Sequence, residues 1–93
     1  VKTSAKLTDQ CLWLKHIDDG PVKNALASLH PGSCLSLFVD GDRIDFERMA
    51  TGKDGRVTDG FKPVGDGAKT WRNRYREGQH QVIELDFARD VHD

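Results

Sequence analysis

Lys69, Arg72 and Arg76 stand at positions i, i+3 and i+7 of a segment that also carries Trp71 and Tyr75. On a helix that spacing gathers the three cations into one stripe beside two aromatic rings. Lys53, Arg56 and Lys62 precede them on a Gly-rich stretch, so segment 53–76 reads as a basic, aromatic surface able to hold phosphates and stack on exposed bases. The charge distribution sharpens this reading. Between Lys53 and Arg76 there are seven basic and three acidic side chains, against seven and twelve elsewhere, although the whole chain has a formal net charge of only −1. The plainer alternative is that Trp71 and Tyr75 belong to the core and the cations solvate a helix or pair with the chain's own acids.

A second chemistry is suggested by Asp45, Glu47, Glu84 and Asp86, with His80 nearby. If the two strands that carry them were neighbours, four carboxylates would share one sheet surface and could hold Mg²⁺ or Mn²⁺ for phosphoryl hydrolysis. Arg43 is available to neutralise them, and carboxylates are what a sheet commonly shows to water, so no metal or other cofactor is expected. His16, His30, His80 and His92 lack the spacing of zinc ligands. His30, Ser33 and Cys34 flank one turn, but no third group is placed to orient a nucleophile and its base, and catalysis is not expected. Gly52-Lys53-Asp54-Gly55 and Gly65-Asp66-Gly67 lack the Gly-Lys-Ser/Thr ending of a phosphate loop and read as turns.

The elements that must position these groups follow from periodicity. Thr8 can cap a helix holding Cys11, Trp13, Leu14 and Ile17 on one side, which Gly20 ends; Pro21 opens a second with Val22, Ala25, Leu26 and Leu29 inward. A helix-turn-helix is disfavoured because Asp18 and Asp19 would repel phosphates. Ser33 to Val39 alternates as a strand, Asp40-Gly41-Asp42 signals a hairpin, and Ile44 and Phe46 face the core of the next strand. A short strand around Val57 is possible. Asp66 caps a third helix with Ala68, Trp71 and Tyr75 on one face, and Gln79 to Phe87 forms a last strand.

The expected fold is therefore α+β, in the order α-α-β-β-(β)-α-β, with an N-terminal αα-hairpin packed on a three- to four-stranded, mostly antiparallel sheet. At 93 residues the chain has room for a single domain spanning 1–93, with 1–6 and 89–93 frayed. Helices on one side of that sheet would leave Cys34, Phe38 and Val82 outward, as a surface for a protein partner or a symmetric homodimer. Cys11 and Cys34 read as free, buried thiols, and no apolar run approaches the roughly 20 residues of a membrane helix. These features point to a soluble cytoplasmic chain that engages no membrane. The expected function is a non-enzymatic interaction module acting through a partner or self-association surface. A nucleic-acid-associated domain using segment 53–76, and a small metal-dependent hydrolase, stand behind it.

Overall fold

The computed structural model describes residues 1–49, 60–76 and 78–87. Among these residues six antiparallel strands close into a barrel: β1 (Lys2–Leu7), β2 (Leu12–Trp13), β3 (Cys34–Val39), β4 (Asp42–Arg48), β5 (Gly60–Val64) and β6 (Gln79–Phe87), arranged β1-β2-β5-β4-β3-β6. Helix α1 (Gly20–Ala27) lies between β2 and β3, and helix α2 (Asp66–Arg74) between β5 and β6. This corrects the expected αα-hairpin on a three- to four-stranded sheet: there is one N-terminal helix, and the sheet has six strands in a different order.

The first expected helix is replaced by strand β1, a tight turn, the two-residue β2 and a 3-10 turn over Leu14–His16. Thr8 still behaves as a cap, its hydroxyl accepting from the amides of Gln10 (3.2 Å) and Cys11 (2.9 Å). It caps a reversal instead of a helix, with Thr8 N–H donating to the Cys11 carbonyl at 3.0 Å. Leu7, Cys11, Leu12, Leu14 and Ile17 are all buried, so the chain meets the core by bending rather than winding. The N-terminal stretch forms a strand: β1 pairs with β6 from Lys2↔Glu84 to Leu7↔Gln79. Helix α1 starts one residue before Pro21, with the Asp19 carboxylate accepting from Val22 N at 2.8 Å.

The β3–β4 hairpin agrees with its sequence signal. Asp40 (φ 50°) and Gly41 (φ 87°) form a two-residue loop with both φ positive, the geometry that matches the twist of a hairpin. Leu35, Leu37, Val39, Ile44 and Phe46 enter the core, where they meet Leu7, Leu12, Phe61, Ile83 and Leu85. Helix α2 closes this core with Trp71, which stands edge-on to Phe46 at 5.2 Å and donates its indole N–H to Thr8 O at 2.9 Å. The expected strand near Val57 and the tail 89–93 lie outside the described residues.

The outer edge of β1 faces the segment after the 3-10 turn and is held by Asp18. Its carboxylate accepts from Ser4 N at 2.7 Å and from the Thr3 hydroxyl, while Asp18 N donates to Ser4 O at 3.0 Å. The Thr3 bond first, and then the Ser4 amide, hold the Asp18 carboxyl below its ordinary value of 3.8. A carboxyl depressed in the folded state contributes stability above its unfolded pKa and loses it as pH falls through the folded one. Wild type should therefore lose urea resistance below about pH 4 more steeply than Asp18→Asn. Urea midpoints measured from about pH 5 to 2 would test this; parallel curves for the two proteins would remove Asp18 from the explanation.

Candidate functional site

On the outside of β1, Lys6 lies directly across from His80 of β6. Buried Leu14 and Ile17 anchor the two ends of the 3-10 turn and leave Lys15 and His16 exposed beside them. The His16 and His80 rings approach edge-on, with centroids 6.2 Å apart. Lys23 of α1 adds a further cation, half-buried against the same region. Desolvation, followed by the charges of Lys6, Lys15, His80 and Lys23, lowers the His16 pKa from its ordinary 6.5. Among the described residues these neighbouring groups all act on the imidazole as positive charges, so the face would gain from an anion.

Lys6, Thr8, Trp13, Lys15, His16 and Gly78 line an open cleft of about 330 Å³ here. Trp13 is half-buried, and its ring lies against Gly60: a Cβ on that glycine would come within 3.3 Å of Trp13 Cε3 and 3.0 Å of Met49 Sδ. Glycine at this point lets the indole rest on strand backbone, supporting it from behind. The arrangement thus offers a braced aromatic surface, a hydroxyl and several cationic donors, which can hold an anionic ligand. Among the described residues it shows no nucleophile paired with a base.

Apart from His16 and His80, the residues singled out from the sequence fall elsewhere. Lys53 and Arg56 lie outside the described residues. Lys62 is on the outer face of β5 opposite Glu47, and Lys69, Arg72 and Arg76 are exposed on and just after α2. Arg72 and Lys62 do meet, around a cleft of about 380 Å³ that Asp9 shares. Trp71 and Tyr75, however, are 0% and 2% exposed, so the α2 stripe has no stacking surface of its own. Tyr75 instead donates its hydroxyl to Asp40 at 3.0 Å, and burial with this bond raises its pKa. Arg74 pairs with Asp42 and lies 3.9 Å from Asp40, spending its charge within the protein.

The four carboxylates are not brought together, because β3 runs between β4 and β6. Asp45 accepts from Ser36 Oγ and lies 3.7 Å from Arg43 Nε, while Glu84 faces Lys2. Among the described residues no three His, Cys, Asp or Glu side chains are grouped as metal ligands. Phe38 (38%) and Val82 (68%) are exposed, as is Cys34, so only Cys11 of the two thiols is buried. These three do not merge into one patch: Ser36 separates Cys34 from Phe38 along β3, and Phe38 is flanked by Arg43 and Asp86.

The basic cleft escaped the sequence reading because its parts sit at positions 6, 8, 13, 15, 16 and 78, and only barrel closure assembles them. Local charge density, which drew attention to segment 53–76, carries no trace of it. No protein-family model, curated protein or solved structure matches this chain.

Proposed function

We propose that this domain is a non-catalytic binding module for phosphate-bearing polyanions, working through the face built by Lys6, Lys15, His16, Lys23 and His80. The observation that carries the reading is the convergence of Lys6 from β1 with Lys15 and His16 from the 3-10 turn on a single cleft, with Lys23 and His80 close to His16. The module keeps the expected binding role and takes the nucleic-acid side of the alternatives, with the contact surface moved off α2. A protein-docking role for Cys34, Phe38 and Val82 has less support, since polar and charged side chains divide them. Among the described residues no helix is long and apolar enough to cross a membrane.

Fluorescence anisotropy with a labelled oligothymidylate of about 15 nucleotides, the upper range of site sizes for small barrels, tests the reading. Binding should weaken with salt at a slope of about −0.7 per phosphate contact. The double variant Lys6→Glu, Lys15→Glu should lose at least about tenfold in affinity, a 1.4 kcal/mol change, while Lys69→Glu, Arg72→Glu changes it little. Affinity should also rise as pH is lowered from about 7.5 to 6, because a bound phosphate favours protonated His16, whose pKa is lowered in the free protein, over its neutral form. Absence of binding at low salt overturns the proposal. Loss of binding in the α2 variant alone would return the site to the helix.

A further inference from the structure

We infer, resting on that reading, that the ligand is single-stranded nucleic acid and that one unpaired base stacks on the open side of Trp13 while Lys6, Lys15 and His16 hold the flanking phosphates. Two features of the cleft point past a generic polyanion surface. Trp13 is the tryptophan that reaches the surface, Trp71 being fully enclosed, and it lines the same cleft as the cations. Its ring is also seated on Gly60, with Trp13 and Gly60 paired in the β2–β5 ladder, so the indole is held ready before any ligand arrives. A fixed ring loses little rotational freedom on binding, which leaves more of the stacking energy for affinity.

The cleft's shape separates single strands from duplexes. At about 330 Å³ it is on the scale of a small-ligand pocket, suited to one base. A duplex base has both faces covered by neighbours and cannot present one to Trp13, whereas a single strand can splay a base out between two phosphates. Phosphates on either side of that base would meet Lys6 on β1 and Lys15 and His16 on the 3-10 turn, with the Thr8 side of the cleft left to polar groups of the base or sugar. Because every base has a π face, such a site would be tolerant of sequence.

The test compares oligothymidylate with a strand of equal length and phosphate number in which the central bases are replaced by abasic sites. Wild type should bind the base-bearing strand about tenfold more tightly, within the range for base–aromatic stacking, and should bind it more tightly than the corresponding duplex. Trp13→Ala should abolish the preference between the two strands, and Trp13→Phe should retain most of it. If wild type binds both strands equally, stacking is wrong while the polyanion reading stands. If it binds neither, both fail. Should Trp13→Ala not fold, the wild-type comparison and Trp13→Phe still decide: a wild type that prefers the base-bearing strand and a folded Phe variant that keeps most of that preference support the stacking site, and a wild type without preference rejects it.

Discussion

Replacing Trp71 by Ala should cost about 3–5 kcal/mol of stability, the range for truncating a large buried aromatic. The indole is fully buried, edge-on to Phe46, and 4.3 Å from the Tyr75 ring centroid. It also ties α2 to the turn after β1 through Thr8 O, so truncation removes the partner of that carbonyl as well as packing. A domain of this size is stable by about 5–14 kcal/mol, so the variant should sit close to its unfolding threshold. Urea denaturation would read the effect, and Trp71→Phe should lose distinctly less, since it keeps most of the apolar volume and forfeits the N–H bond. A loss under about 1 kcal/mol for Trp71→Ala, which is ordinary for a surface site, would contradict the enclosure of Trp71.

Gly67→Val should also destabilise, although glycine is itself a poor helix residue. Replacing it would recover about 1 kcal/mol of helix propensity at most. Against this, a Cβ at Gly67 would stand 3.0 Å from Ile44 Cγ2 and 3.3 Å from Ile44 Cα. The second contact is with backbone in the middle of β4, which cannot move without disturbing its ladders to β3 and β5. Overpacking of this kind costs about 1–3 kcal/mol, and valine adds two methyl groups beyond the Cβ. A net loss near 2 kcal/mol corresponds to a fall in melting temperature of about 10 °C for a domain this small. Lys69→Val, exposed on the same helix, should shift it little. Equal melting of Gly67→Val and wild type would show that α2 does not approach β4 so closely.

What could be read from the sequence was the part whose signals are local. The β3–β4 hairpin has strict alternation and an Asp-Gly turn, β6 alternates from Gln79 to Phe87, and α1 and α2 have their Pro21 and their Trp71/Tyr75 spacing. The strands that were missed have weak inward residues or residues that oppose strand formation. In β1 the inward side is Thr3, Ala5 and Leu7, of which only Leu7 is large and apolar. In β5, Gly60 and Pro63 both speak against a strand; Pro63 is accommodated because the β2 ladder reaches no further than Phe61, so no partner there requires its amide. Arg48 is the inward residue that alternation on a charged stretch disguises: it is 5% exposed, with its guanidinium 5.3 Å from the Phe61 ring centroid. The candidate site was less legible than the fold, because a charge count along the chain cannot register cations that meet only after distant strands pair.

The pairing of β1 with β6 also governs the order in which the barrel can be built. Lys2 reaches Glu84 and Leu7 reaches Gln79, so this ladder joins opposite ends of the described chain and its loop-closure entropy falls due before any of its contacts form. The β3–β4 hairpin spans a two-residue loop and can form early, with β5 adding beside β4. During synthesis β1 must wait on the ribosome, without its main partner, until β6 has emerged. Its outward Lys2, Ser4 and Lys6 and its modest inward Thr3 and Ala5 make a segment with little tendency to associate during that wait. The weak strand signal that hides β1 from a reader of the sequence is then the same property that keeps a solitary strand from pairing with the wrong chain.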